Sequence, residues 1–333
     1  MPVYLDEVPA EAGKISRPVT LYWIAFLVFI VVTGIVLTLW QWMGERNGFS
    51  FWFAAIGLPF CIWGFLFSIR RIGYKAELNG HAGWNYECET LKASEISRGK
   101  RFAWILDSYI HSQAGRGVGS LLASIEQILP LMDTIKPRSG GIPIRHSRLN
   151  DFDYNPTALE DAVNKVAKRI GNTVEQLPET VKCWLMFECD TQSFAVKEDT
   201  LIHLLSLHLR REIYQLPVQG VRGVDYWLDQ QWAKPSVLIV LTASLRLLPK
   251  QNDAEAITAL VLCNRRSHHY PDAVKLHRPQ KSTNETLTRN MAHSLRWAKT
   301  SAAKVTGVWV TGEDLTMFLA GIRPAKRMNW CLA

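Results

Sequence analysis

Two long stretches without an ionisable side chain of Asp, Glu, Lys, Arg or His sit almost back to back near the start of the chain. No other feature narrows the fold as far. The first runs from Pro18 to Gly44, and its core from Leu21 to Trp40 is apolar on every helical face. About 20 such residues, at a rise of about 1.5 Å each, cross a hydrocarbon layer of about 30 Å. The second runs from Asn47 to Ile69, contains Pro59, and is closed by Arg70 and Arg71. Two transmembrane helices are therefore expected, at 19–43 and 50–69, joined by an external loop at 44–49. A cleaved leader fits the first poorly, because its apolar core exceeds the roughly 7 to 15 residues of a signal-peptide core and no small-residue cleavage site follows it.

Orientation follows from the flanking cations. Lys14 and Arg17 precede the first segment and Arg70, Arg71 and Lys75 follow the second, whereas the loop carries Arg46 alone. The positive-inside rule then places the tail 1–18 and everything after the hairpin on the cytoplasmic side. Trp40, Trp42 and Trp52, with Phe49 and Phe51, are expected at the outer interface, and Tyr22 and Trp23 at the inner one. Neither segment carries an ionisable group at membrane depth, which pumps and proton-coupled carriers need. The hairpin reads as an anchor in the lipid bilayer.

Charge and cysteine content exclude further classes. The formal net charge of +8 over 333 residues comes from scattered Lys and Arg, so an anionic cytoplasmic leaflet is a better neighbour than nucleic acid. Six cysteines, none in a C-x-x-C pair, indicate free thiols and neither a zinc site nor a disulfide framework. No metal or other cofactor is expected.

Beyond the hairpin, 70–100 is polar, carries Gly80, Gly83 and Gly99, and is expected to be a linker. The remainder, 101–333, reads as a cytoplasmic α/β domain. Arg101 to Ile110, Val181 to Glu188 and Pro235 to Ser244 are apolar runs suited to buried strands. Ala254 to Cys263 suits a strand or a short buried helix, and Val305 to Thr311 a further strand. Helices are expected over Leu121–Leu129, Pro156–Ile170, Glu198–Ile213 and Asn284–Ala302. Lys136 to Ile144 is a Pro/Gly-rich connector. The glycines 115, 117 and 119 lack the spacing of a dinucleotide or nucleoside-triphosphate loop and are read as a chain reversal into a helix. His203 and His208, five apart, do not share a helix face. His208 is expected at the core edge and His203 in solvent.

One family resemblance enters through the C-terminal third. Ala254 to Leu262, a helix ending at Leu295–Lys299, and Val305 to Gly312 together resemble the strand, helix and closing strand of thiolase-like condensing enzymes. The resemblance implies a thiolase-like domain without the chemistry. Thr311 stands where the family's pattern has a catalytic His, Glu313 and Asp314 follow Gly312 in place of a Thr-Gly-Thr turn, and the second active-site His would fall beyond Ala333. No Cys occupies the family's nucleophile turn. The overall layout is also similar to membrane-anchored accessory proteins of bacterial type VI secretion clusters.

Three functions follow as expectations. The first is a non-catalytic adaptor or assembly protein of a bacterial inner membrane, with a protein partner at the cytoplasmic face and a homo-oligomer compatible with the hairpin. The second is an acyl-handling enzyme, for which Cys189, Asp190 and His293 are the catalytic candidates. The third is a lipid or small-molecule sensor. The first is preferred, because no Gly-x-Ser-x-Gly elbow, His-Glu-x-x-His or phosphate loop occurs.

Overall fold

The computed structural model describes residues 3, 5–44, 46, 48–127, 132–149, 157–189, 198–246, 248–283, 285–310 and 329–332. Its contacts divide the chain into two compact units, Tyr4–Glu95 and Ile96–Ala333 with Met1–Val3.

The first unit is a helical hairpin. Helix α1, Thr20–Gln41, is rich in Val and Ile, poor helix formers in water. In an apolar solvent the helix still forms, since every backbone group must find its partner within the segment. Its two inner hydroxyls follow the same rule, as Thr33 Oγ1 donates to the Phe29 carbonyl at 2.8 Å and Thr38 Oγ1 to that of Gly34 at 2.7 Å. After the loop come α2, Phe49–Trp52, a π-helical turn at Phe53–Gly57, and α3, Leu58–Gly99. The π turn directly precedes Pro59, which cannot donate a backbone hydrogen bond. Widening lets the Leu58 N–H reach the Phe53 carbonyl, and the Phe53 ring lies over Gly57.

The expected linker at 70–100 is helix instead. Glycine costs a helix about 1 kcal/mol per residue, but here Gly80 and Gly83 are outnumbered by strong formers such as Ala76, Glu77, Leu78, Glu87, Leu91 and Lys92. Gly99 is the last helical residue, where its lack of a side chain is least harmful.

The second unit is a mixed α/β domain. Its main sheet has the order β2-β1-β8-β7-β5-β6, with β9 also pairing with β1. These strands are β1 Phe102–Ser112, β2 Gly115–Arg116, β5 Lys182–Cys189, β6 Ile213–Gln215, β7 Ser236–Ser244, β8 Ala256–Cys263 and β9 Val274–His277. Strands β5, β6 and β7 are mutually parallel where they pair, and β8 and β1 run antiparallel to their neighbours. Two small sheets stand apart: the hairpin β3 Asp133–Ile135 with β4 Ile144–His146, and the parallel pair β10 Gly307–Val310 with β11 Asn329–Leu332.

Each face of the main sheet has its own core. Cys183, Leu185 and Phe187 of β5, with Val237, Ile239 and Leu241 of β7, pack under α5, Ala158–Glu175, and α6, Glu198–Leu209. Helix α5 offers Leu159, Ala162, Val163, Val166, Ile170 and Val174 at the three-and-four spacing of a buried stripe. On the opposite face, Met186, Leu238 and Leu262 meet Trp227 and Leu228 of α7, Val221–Gln230. Among the described residues the domain's remaining α-helices are α4, Val118–Glu126, and α8, Leu287–Trp297.

The Ala254–Cys263 run is strand, registered against both β1 and β7. Helix α6 stops at Leu209, not Ile213, because Arg210 takes a left-handed backbone (φ 51°) and Ile213 turns to pair with Cys183 of β5. His208 is exposed rather than at the core edge, its Nδ1 3.0 Å from the Leu204 carbonyl oxygen, and His203 is exposed as expected. The glycine reversal closes β1 onto β2, with Gly115 and Gly117 at φ 113° and 89°.

Two charge clusters lie inside this domain. Glu255, 2% exposed, pairs with Arg138 at 2.8 Å and accepts the backbone N–H groups of Leu149 and Arg246 at 3.0 and 3.1 Å. Arg278 is also fully enclosed, held by Asp225 at 2.6 Å and by Asp229, which Arg101 also meets at 3.2 Å. Burial of charge on this scale is tolerated only where each group is paired.

Candidate membrane-anchoring site

The hairpin's two arms run antiparallel, and three levels of contact fix their register. At the loop end, Trp42 packs edge-on against Phe51 at 5.6 Å, and Phe51 is 5% exposed. In the middle, Gly34 meets the π turn and Pro59 so closely that a Cβ on Gly34 would lie 2.3 Å from Pro59 Cγ and 2.9 Å from the Ala55 carbonyl oxygen. Glycine is required there by contact, not by backbone angle. At the far end, Trp63 Nε1 donates to the Trp23 carbonyl at 2.8 Å, and Trp23 and Trp63 both pack against the Phe67 ring at 5.6 and 5.1 Å.

Beyond the apolar arms the pairing continues in polar terms. Trp84 Nε1 donates to the Ala10 carbonyl at 3.0 Å, Asn85 Oδ1 accepts the Ala12 N–H at 2.7 Å, and His81 Nδ1 lies 2.9 Å from the Gly13 carbonyl oxygen. The tail before α1 thus lies along α3, so both flanks of the hairpin emerge at the same end. An open apolar groove of about 530 Å³ follows the two arms, lined by Gly34, Leu37, Ala54, Pro59 and Ile62 among others.

Of the anchoring residues read from the sequence, Trp40 and Trp52 are exposed, Trp23 and Trp42 are half-buried in the ring contacts above, and Arg70 and Arg71 are exposed on α3. Trp63 and Phe67, four apart on the second arm, were the missed pair. Their spacing is the signal that could have found them. Both helices are long and apolar enough to cross a membrane, and none of the side chains in the apolar window of α1 is buried by the rest of the protein.

Of the catalytic candidates, Cys189 and His293 are described, and they belong to different surroundings. Cys189 ends β5 opposite Ala243 of β7, in a hollow of about 420 Å³ at the carboxyl ends of these parallel strands, with Glu188, Gln219, Thr242 and Arg246. His293 is not part of that hollow. It sits on α8 with its ring 6.0 Å from that of Trp297, and its buried Nδ1 has no hydrogen-bond partner among the described residues. Asp190, like Thr311, Gly312, Glu313 and Asp314, lies outside the described residues. Cys183 and Cys263 flank Val237 on the core face, and burial pushes both thiols up, away from the thiolate form that attacks or ligates. Among the described residues no group of three His, Cys, Asp or Glu is placed to hold a metal ion.

Comparison with known proteins places little beside this chain. No protein-family model and no curated protein sequence matches it. Among solved structures it is similar to a ketosynthase from module 6 of the bacillaene synthase of Bacillus subtilis 168, at 14% identity and a TM-score of 0.37 over 48% of this chain. It spans only 36% of the length of that protein. A β-ketoacyl synthase from Burkholderia phymatum STM815 has 12% identity and the same TM-score, over 63% of this chain and 73% of that one. An HMG-CoA synthase from Bacillus subtilis has 9% identity and a TM-score of 0.30, over 62% and 57% of the two chains. These likenesses assign no family. What stands is a mixed α/β domain in a chain with two long apolar helices.

Proposed function

We propose that this chain is a membrane-anchored docking protein, held in a bacterial inner membrane by the α1 to α3 hairpin and presenting its α/β domain to a protein partner in the cytoplasm. The observation that carries the reading is the outward apolar surface of the hairpin. Leu21, Phe29, Val36 and Trp40 on α1, and Phe49, Phe60, Phe65 and Ile69 on the second arm, are all exposed. A soluble protein rarely leaves so contiguous an apolar surface uncovered, and lipid would cover it at no cost in backbone hydrogen bonds. The cation bias of the flanks supports cytoplasmic ends. Work as an accessory subunit of a secretion system of the type VI kind belongs to the same proposal.

Extraction of membranes with alkaline carbonate tests the anchor, and the chain should stay in the pellet. Release into the supernatant would overturn it. A cysteine placed by Asn47→Cys should label from outside intact cells, and labelling only after the inner face is opened would reverse the orientation.

A second reading, small-molecule or acyl handling, is favoured by one observation, the position of Cys189 in the hollow at the carboxyl ends of β5 and β7. Rapid alkylation of Cys189 at neutral pH would support it. Slow alkylation would favour a purely docking domain.

A further inference from the structure

The sheet face that carries α5 remains open at one end, where β1 and β9 lie. Ala103 and Ile105 of β1 belong to the opposite core, so Phe102 and Trp104, which alternate with them, project onto this face. Phe102 stands opposite His277 and Trp104 opposite Lys275. The Lys275 ammonium lies 4.9 Å from the Phe102 ring and 5.2 Å from that of Trp104, and the Arg266 guanidinium lies 5.7 Å from the Trp104 ring. Both cations are exposed, and among the described residues neither has a carboxylate within ion-pair reach. The patch therefore carries positive charge that nothing in the described protein neutralises.

Among the described residues β9 pairs with β1 alone, so its outer edge over Val274–His277 offers unpaired N–H and C=O groups, and Val274 is 64% exposed. A lysine on such an edge ordinarily repels further strands. The strand that it admits is one bearing negative charge.

We propose that the β9 edge takes an extended acidic peptide segment of a partner protein, which adds to the sheet as a strand while its carboxylates pair with Lys275 and Arg266. This rests on the docking reading above and names the partner chemistry for it. Single-stranded nucleic acid fits less well, because stacking needs free ring faces and Lys275 already lies over both rings, with Arg266 also over Trp104. A second copy of this chain fits less well too, since the same edge would bring like charges together.

The test uses the full chain in nanodiscs of zwitterionic lipid, with a short fluorescent peptide of alternating Glu and Val as the probe. A Lys/Val peptide and an oligothymidylate of similar length are the controls. Saturable binding of the acidic peptide alone is expected, weakening with salt, about tenfold weaker in Lys275→Glu and weaker again with Arg266→Glu added. Amide exchange should slow across Val274–His277 on binding. Lys275→Gln, which keeps most of the stem, should lose affinity in the same direction and guards against a folding artefact. Absence of saturable binding, binding indifferent to both Lys275 variants, unchanged exchange at β9, or equal binding of the oligothymidylate would each overturn the proposal. A partner captured from solubilised membranes equally by wild type and by the Lys275→Glu/Arg266→Glu variant would remove this edge while leaving the docking role in place.

Discussion

The tightest contact in the hairpin can be turned into a measurement. In Gly34→Ala the new Cβ would start 2.3 Å from Pro59 Cγ, where carbon atoms in contact prefer about 3.5 to 4.0 Å. The proline ring is fixed to its own helix, and the second close atom, the Ala55 carbonyl oxygen at 2.9 Å, is backbone. The arms must therefore part by about 1 Å or more at this level, which strains the aromatic contacts on either side. Overpacking of this kind costs about 1 to 3 kcal/mol. Alanine's better helix propensity returns about 1 kcal/mol, so a mid-range cost of about 2 kcal/mol leaves a net loss of about 1 kcal/mol. Equilibrium unfolding of the full chain in mixed micelles, followed by the fluorescence of the hairpin tryptophans, reads the loss. The same substitution in a Pro59→Ala background should cost clearly less, because one of the two obstructing groups is gone. Equal stability of Gly34→Ala and wild type, or an undiminished loss in the Pro59→Ala background, would refute the close-contact argument.

Other perturbations address the α/β domain. Arg278→Met leaves Asp225 and Asp229 without their enclosed partner and should destabilise by about 3 to 5 kcal/mol, read as a lower midpoint in denaturant. His277 has its pKa pushed below the ordinary 6.5 by burial and by Lys275, so the folded form takes up a proton less readily than the unfolded chain. Stability should therefore fall as pH drops from about 6.5 through the folded value, and His277→Gln should flatten that acid-side decline in a melting series. Cys183 and Cys263, with thiols pushed up by burial, should resist a water-soluble disulfide reagent until denaturant is added, whereas early reaction of either would show that the core beneath α5 opens readily.

What could be read in advance depended on how locally each element is determined. The two arms of the hairpin were legible because absence of charge over twenty residues has few explanations. Strands β5 and β7 were legible as short, nearly continuous apolar runs, and helix α5 because its apolar residues already carry the helical period. Helix α3 past Ile69 was misread, since glycines in a polar stretch look like a linker when the strong helix formers between them are discounted. Strands β6 and β9, of three and four residues, have almost no signal of their own and exist because a neighbouring strand pairs with them. The end of α6 likewise depended on β5 recruiting Ile213. In the hairpin, the flanking cations and the tryptophans were visible, but the role of Gly34 was not, because only the opposing arm makes a side chain there impossible. Of the catalytic candidates, the sequence could supply residue types but not proximity, and Cys189 and His293 belong to different surroundings.

Glu255 also has a kinetic meaning. Its one carboxylate gathers Arg138, Leu149 and Arg246, of which the first two are more than one hundred positions away along the chain. Such contacts can close only after much of the intervening chain has found its place, since each long loop must first surrender its entropy. The hub is therefore expected to close late on the folding route. Glu255→Gln would leave the refolding rate nearly untouched and appear almost wholly as faster unfolding. Glu255 would then govern how long the domain stays folded more than how fast it forms.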